Sequence, residues 1–523
     1  MALITPKTQA KKQGFPLITW LGLAGLFVIA VVAYITFSGS DSESWVTNFK
    51  GLGTGSSPRM ADLNEDGILD VIVGAGGAEN SPSDTALIAM DGATGNVLWH
   101  ISGRNQVVGS ALFYDVTEDS IADVFIGGRT AELMAVNGAS GEVLWRFFPY
   151  DYAVSPADSG IYNFYNPQLI PDQDNDGKKD LLISNGGDYT VKAHNSNRPV
   201  GKLLVLSSES GRVITEASVP DGKETYMSVV MESLKNNGTV DVIFGTGGET
   251  IGGSLYRTTL QDILKGDISS AVALATGKYK GFIAPPALAD LTGDGIFDII
   301  VNSVDGRTIA ISGADDSVLW SLRVPDTEIY STPAIGYFNK DEVPDVFTNY
   351  SIGIWPMIKR STQRMIDGRT GEVLATDTAG IFSYASPVVA DFNNDGFDDV
   401  LMSVNNLIRL NLYNQSKSHI SQLTVFDFNY DVKYQVGDTL LGSDVASTPW
   451  IGDMDGDGKL DIVTTTIELN GQKNDIDRPT NLRVFRVSTP YAIKNELKWG
   501  GYMGSNYDGV FRREQRAGKQ PLN

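Results

Sequence analysis

The chain has 523 residues, no cysteine and a formal net charge of -22. This composition excludes disulfides and thiolate chemistry, and it argues against nucleic acid or an anionic lipid surface as a partner. With 56 glycines, 21 prolines and 42% hydrophobic residues, it fits many short strands joined by turns.

In chain order, residues 1–14 carry Lys7, Lys11 and Lys12, and an uncharged apolar stretch runs from Phe15 to Phe37. About 20 such residues span a bilayer, whereas the core of a signal peptide is shorter. Lysines before the stretch and Asp41 and Glu43 after it predict a cytoplasmic N-terminus. Everything beyond a linker over 38–44 is then outside the cytoplasm, in a periplasm or at a cell surface. A cleaved secretion signal ending near Ser38-Gly39-Ser40 is the alternative and leaves the body in the same compartment.

From residue 45 onward one unit recurs. In its first copy Ser57-Pro58-Arg59-Met60-Ala61 leads into an acidic loop, and Leu69 to Val73 forms a strand. Ala86 to Met90 forms another, Asp91-Gly92-Ala93-Thr94-Gly95 reverses it, and Asn96-Val97-Leu98-Trp99 begins a fourth. Four antiparallel strands per unit make a propeller blade. Loop starts at 62, 115, 172, 233, 290, 337, 391 and 453 lie 47 to 62 residues apart. They predict an all-β, eight-bladed propeller over 45–511, behind one transmembrane helix and ahead of a basic tail, 512–523. Ring closure has two candidates: Ser44 to Asn48, preferred because Trp45 precedes its loop as Trp99 does, and Glu496 to Trp499.

The acidic loop is the chemical signal. Asp453-Met454-Asp455-Gly456-Asp457-Gly458-Lys459-Leu460-Asp461 places acids at positions one, three, five and nine. Calcium takes six to eight oxygens in flexible geometry, which such spacing supplies. The offsets return at Asp62, Asn64, Asp66 and Asp70; at Asp172, Asp174, Asp176 and Asp180; at Asp290, Thr292, Asp294 and Asp298; and at Asp391, Asn393, Asp395 and Asp399. A sixth set, Asp115, Thr117, Asp119 and Asp123, has Ser120 where the turn glycine belongs, which predicts strain or weak binding. Degenerate copies at Leu234 to Asp241 and Tyr337 to Asp345 are expected to bind no metal. The helix-loop-helix calcium site is excluded, because position twelve is Val73, Ile183, Val301, Met402 or Thr464 and never glutamate. A solvated Asp-Asn-Gly turn is the plain alternative for any one copy.

The Asp-x-Asx-x-Asp-Gly-x-x-Asp loop followed by a β-branched run resembles the FG-GAP, or VCBS-type, repeat of integrin alpha-subunit heads and bacterial surface proteins. The Asp-Gly-x-Thr-Gly-x-Val-Leu-Trp turn resembles the repeat of pyrroloquinoline-quinone-type propellers, which commonly have eight blades. The first resemblance implies several structural Ca2+ ions and a membrane-anchored adhesion, protein-binding or scaffold module. Its partners would be other envelope or surface proteins of unknown identity. No inserted adhesion domain or leg domains accompany the propeller, so integrin-like ligand capture is not implied.

The second resemblance implies a quinoprotein-like dehydrogenase of the cell envelope, with calcium holding the quinone and a carboxylate as base. Against it, the chain lacks the vicinal cysteines of many such alcohol dehydrogenases. Hydrolysis has little support, since His100, His194 and His419 stand in unrelated contexts and no Gly-x-Ser-x-Gly elbow occurs. The expectation is therefore a binding module without catalytic residues or organic cofactor. The interval from Gly380 to Asp453 also holds Leu407 to His419, a candidate excursion toward a partner, with an ordinary long loop as the alternative.

Overall fold

The computed structural model describes residues 44–78, 81–147, 163–188, 191, 195, 197–355, 357–409, 417–469 and 479–512. The expected cytoplasmic segment, anchor and nearly all of the linker and tail lie outside these residues. No helix among the described residues is long and apolar enough to cross a membrane.

Eight antiparallel sheets follow one another along the chain, seven of four strands and one of five. Letting A to D denote the strands of a blade from inside outward, blade 1 comprises Arg59–Ala61, Asp70–Gly74, Ser83–Met90 and Val97–Gly103. The innermost strands of blades 2 to 8 are Leu112–Tyr114, Gln168–Ile170, Val230–Glu232, Ala287–Ala289, Ala334–Gly336, Val388–Ala390 and Trp450–Gly452. Blade 6 carries the extra strand, Thr327–Glu328. The eightfold count read from the loop spacing is the count observed.

Burial follows strand position. Strand B of blade 1, Asp70-Val71-Ile72-Val73-Gly74, is buried throughout, as a short continuous apolar run enclosed on both faces should be. The outermost strand Trp45–Lys50 alternates half-buried and exposed, because only one of its faces meets a neighbouring blade. The core is accordingly a chain of interfaces between blades, such as the one joining Val71, Val73 and Met90 to Trp450, Val463 and Val484.

The N-terminal strand closes the ring. Trp45–Lys50 pairs antiparallel with Pro479–Ala492, from Trp45 opposite Arg486 to Lys50 opposite Asn481, as the outer strand of blade 8. Trp499 does not serve as a closing strand. Its carbonyl accepts from Val389 N, that of Gly500 from Ile451 N and that of Gly509 from Leu288 N, at 2.9, 2.7 and 2.8 Å. Gln168 Nε2 donates to Tyr507 O at 3.2 Å, and the Arg59 guanidinium lies 4.1 Å from the Tyr507 ring centre. Residues 499–511 thus touch the innermost strands of blades 1, 3, 5, 7 and 8 and plug the axis of the ring. Trp499, Met503, Val510 and Phe511 are buried there.

Of the stretch from Leu407 to His419, residues 407–409 and 417–419 lie on the paired strands Asp399–Arg409 and Lys417–Asp427 of blade 7, and residues 410–416 lie outside the described residues. Leu407 and Ile408 are exposed.

Candidate functional site

Every acidic loop joins strand A to strand B, and the glycine turn joining C to D lies on the same face of the ring. The first carboxylate of each of the six loops closes it: Oδ2 of Asp62, Asp115, Asp172, Asp290, Asp391 and Asp453 accepts the sixth residue's N–H at 2.9 to 3.0 Å. The fifth does likewise, as Oδ1 of Asp66, Asp119, Asp176, Asp294, Asp395 and Asp457 accepts the seventh residue's N–H at 2.8 to 2.9 Å. Position six is left-handed in all six, with φ of 74° at Ser120, the residue that stands in for glycine.

Position nine has a duty besides any metal. Asp70, Asp123, Asp180, Asp298, Asp399 and Asp461 are buried, and each accepts the N–H of its own loop's second residue at 2.6 to 3.1 Å. In blades 1, 2 and 5 the other oxygen accepts the first turn glycine, Gly92, Gly138 or Gly313, at 2.9 to 3.2 Å. Asp345 of a degenerate loop makes both bonds too. The ninth-position aspartate thus clamps loop, strand and turn even in a loop whose first position is Tyr337 in place of an acid. Burial pushes Asp70 and Asp180 up to about 6 and Asp399 to about 8.

Two carboxylate triads among the described residues bring one oxygen each within 4.8 Å of one another: Asp172, Asp174 and Asp176, and Asp453, Asp455 and Asp461. The two differ in how deeply a guanidinium is set beside them: in the first, the exposed Arg212 comes to 3.5 Å of Asp174. Arg486, fully buried, donates to Asp455 at 2.5 Å and to Asp461 at 3.2 Å. Arg257 holds the equivalent place in blade 4, where it reaches Asp241 at 3.0 Å and Asp316 of blade 5. In blade 2 the Asn137 amide caps Asp119 at 2.9 Å, and the Thr117 hydroxyl donates to Asp123 at 3.0 Å while accepting from the same Asn137 amide at 3.4 Å. The Asn64 amide donates to Asp66, and the Asn393 amide to Asp427. Buried oxygens without a partner remain at Asp62 Oδ1, Asp174 Oδ1, Asp180 Oδ1 and Asp453 Oδ1.

On the same face, a cleft of about 540 Å³ opens between the loops of blades 6 and 7 and the C-terminal segment, lined by Tyr337, Asp391, Asp398 and Lys498. Its Asp398 is pushed up to about 6 by burial and accepts from Tyr337 N at 2.8 Å.

The opposite face holds a constellation that the sequence reading missed. A tyrosine stands three or four residues ahead of the innermost strand in blades 3, 4, 6 and 7: Tyr165, Tyr226, Tyr330 and Tyr384. Tyr330 and Tyr384 lie 4.4 Å apart between ring centres, and Trp355 lies 5.4 Å from Tyr384. Glu328, buried beneath them, accepts Lys280 Nζ at 2.5 Å, Tyr330 Oη at 2.9 Å and Trp355 N at 2.8 Å. Glu224 is paired with Arg198 at 3.4 Å.

Lys280 Nζ also donates to the carbonyl oxygen of Glu249, in the B–C connection of blade 4, at 2.9 Å. Glu249 is exposed, yet enough protein surrounds it that desolvation, then Glu328, raises its pKa, with Lys280 and Arg129 opposing and Glu224 adding. The tyrosines ahead of Ser-x-Pro-like segments are a periodic mark visible in the sequence. Glu249 carries no such mark, because its loop belongs to a blade whose acidic motif has decayed.

A family profile described as the FAM234A/B beta-propeller matches residues 59–394. The chain belongs to that family. Comparison with curated protein sequences gives no match. Among solved structures, this FAM234-type propeller is similar in fold to the quinohemoprotein alcohol dehydrogenase of Comamonas testosteroni, at 12% identity and a TM-score of 0.53, covering 87% of this chain and 79% of that one. Quinohemoprotein alcohol dehydrogenase ADHIIG of Pseudomonas putida HK5 gives 10% and 0.54, with 87% and 78% covered. Sqt1 of Saccharomyces cerevisiae gives 9% and 0.52, with 86% and 99% covered. Identities this low relate the fold alone.

Proposed function

We propose that this FAM234-type propeller is a membrane-anchored, extracytoplasmic binding or scaffold module whose acidic loops hold structural calcium. The observation that carries the metal reading is the set of leftover oxygens. Asp62 and Asp453 each use Oδ2 to close the loop and keep Oδ1 buried without a partner, and a hard cation is the natural acceptor of such oxygens.

Blade 3 fits the ion best. Asp172, Asp174 and Asp176 converge there, Asp174 Oδ1 and Asp180 Oδ1 are unpartnered, and the guanidinium beside them, that of the exposed Arg212, lies 3.5 Å from Asp174 instead of being buried among the acids as Arg486 is in blade 8. When bound, calcium supplies the charge neutralisation that makes a carboxylate cluster favourable, which couples folding to the ion. The loops' resemblance to FG-GAP or VCBS-type repeats agrees with this reading. Anchoring rests on the apolar stretch Phe15 to Phe37, and partners would be proteins of the same envelope or surface.

Calorimetric titration of the chelated protein with calcium, paired with melting curves, tests the proposal. Binding with an upward shift in melting supports it; no heat and no shift overturn it. The second reading, a quinoprotein-like dehydrogenase of the cell envelope, is favoured by the eight blades and the fold of the alcohol dehydrogenases above. The plug of residues 499–511 speaks for a binding module instead, since it fills the axis from one side. Dye reduction after reconstitution with pyrroloquinoline quinone and an alcohol would revive the enzyme reading.

A further inference from the structure

The cleft on the acidic face holds two side chains of opposite sign that do not meet. It opens between the degenerate loop of blade 6, the acidic loop of blade 7 and the segment leading into the plug. Its volume of about 540 Å³ is that of a small-molecule site. Lys498 stands on one wall. Its ammonium lies 5.8 Å from the centre of the Tyr337 ring and 5.6 Å from that of Phe511, and those two rings pack edge to face at 5.5 Å. Such a corner holds a cation through the ring quadrupoles. No carboxylate lies within 4.0 Å of that ammonium among the described residues.

Asp398 stands on another wall, fixed by the backbone of Tyr337. Asp398 N donates to Tyr337 O at 2.9 Å, and Tyr337 N donates to Asp398 Oδ2 at 2.8 Å. Its second oxygen, Oδ1, accepts nothing from a described residue. The backbone beneath Lys498 is pinned as well, by Ser505 N to Lys498 O at 3.2 Å and Val389 N to Trp499 O at 2.9 Å. Both charges are therefore held in place before any ligand arrives, which lowers the ordering cost of binding.

The sign pattern narrows the ligand. Three lysines and five carboxylates line the cleft, so a simple anion meets an excess of like charge, and a simple cation leaves Lys498 without a counter-charge. A molecule carrying both charges completes both side chains through charge-assisted hydrogen bonds. Phe397, Leu460, Ile493 and Leu497 also line the cleft and suit an apolar body between the charged ends.

We infer that the cleft binds a small zwitterion, an amino acid or a short peptide with both ends free, with Lys498 receiving its carboxylate and Asp398 its ammonium. This goes beyond the scaffold reading and rests on neither the membrane anchor nor calcium in the loops.

The test uses the full chain in a non-ionic detergent, with calcium present, near neutral pH. Calorimetry is one readout, and mass-spectrometric mapping of lysine acetylation is the other. The probes are L-leucine, L-phenylalanine, leucyl-leucine, leucinamide, which lacks the carboxylate, and 4-methylpentanoate, which lacks the ammonium. A zwitterionic probe should bind about 10-fold or more tighter than either single-charge analogue, and should shield Lys498 from acetylation. Lys498→Gln should weaken the zwitterion by about 10-fold or more and leave leucinamide unchanged. Asp398→Asn, which keeps an oxygen for Tyr337 N, should weaken it as much and leave 4-methylpentanoate unchanged. A distorted cleft would lose all the probes together, so this pattern separates recognition from folding. Tighter binding of leucyl-leucine than of the amino acids would assign the site to peptides, and the reverse to free amino acids. No binding of any zwitterion, equal binding of a single-charge analogue, or unchanged zwitterion binding in either variant would overturn the inference.

Discussion

The indole Nε1 of Trp99 in blade 1 donates to the carbonyl oxygen of Gly138 in blade 2 at 2.7 Å. The amide of that glycine donates to Asp123 at 3.2 Å, and Asp123 in turn holds the N–H of Val116. The relay recurs from Trp45 through Gly92 to Asp70 and from Trp320 through Gly368 to Asp345. Three motif elements that look separate in the sequence, the tryptophan, the turn glycine and the ninth aspartate, are one inter-blade clasp. The second turn glycine belongs to it as well: a Cβ at Gly141 would stand 2.6 Å from the Trp99 ring, and its φ is +72°. Trp99→Phe keeps the packing and removes the bond, so it should cost about 1 to 2 kcal/mol, whereas Trp99→Ala should cost about 3 to 5 kcal/mol. Urea unfolding of the two variants checks the ratio.

Ser120 tests the strain argument in the opposite direction. Its φ of 74° is disfavoured for a residue with a Cβ by roughly 1 to 2 kcal/mol. Ser120→Gly should raise stability by about 1 kcal/mol, a gain partly offset by the extra freedom of glycine in the unfolded chain. A loss of stability in denaturant melts would mean that the serine side chain holds something the backbone alone does not.

The ring, its eight blades and the closing strand were legible because the acidic loop recurs along the chain and the clasp leaves its tryptophan in several blades. The spacing of Trp45 to Asp62 matches that of Trp99 to Asp115, and it reports the same contact between adjacent blades. The plug was not legible, since Trp499, Tyr507 and Phe511 occur once and answer to no periodicity. Nor was the exchange of a metal's place for a guanidinium: Arg486 lies 25 residues after Asp461 on a different strand, and only pairing brings them together. The cleanest acidic copy in the sequence is for this reason the most self-sufficient loop in the fold.

That difference between blades 3 and 8 separates two variants. Asp174→Asn should leave stability nearly unchanged in chelator and lower it in calcium, because Oδ1 has no other partner and Oδ2 meets only the exposed Arg212, a pair of the kind that contributes little. Asp455→Ala should lower stability in both conditions, because Arg486 loses a buried partner, at a cost of about 3 kcal/mol or more. Melting curves with and without calcium decide the matter, and the reverse pattern would count against the assignment of blade 3 as the better site.

Asp444 offers a pH dependence away from the loops. It is buried, and burial pushes its carboxyl up to about 7, with Ser403 and the Ser447 amide pulling the other way. A folded pKa above the unfolded value near 3.8 favours the protonated form, so its contribution is complete below about pH 4 and is lost as pH rises to about 7. Asp444→Asn should flatten that part of the stability profile and leave the protein more stable than the parent at pH 8. Unfolding midpoints in chelator at pH 5 and pH 8 give the comparison, and parallel profiles would exclude the carboxyl as the source.

The plug can be assayed directly. Trp499→Ala empties a buried site against the innermost strands and should cost about 3 to 5 kcal/mol. Phe511→Leu, smaller in volume change, should cost less than half of that. Equal and slight effects in calorimetry would mean that residues 499–511 rest on the ring without holding it.

Closure of blade 8 by the first strand has a consequence for biosynthesis. Trp45 finds its partner Arg486 only after about 440 further residues have been made. At roughly 5 to 20 residues per second, that is a wait of about 20 to 90 s. Throughout it the strand edge Trp45–Lys50 and the unpaired flank of blade 1 are open to other chains. The protein therefore emerges as a growing arc with two sticky ends, and any factor that shields Trp45 during synthesis would govern how much of it becomes a ring.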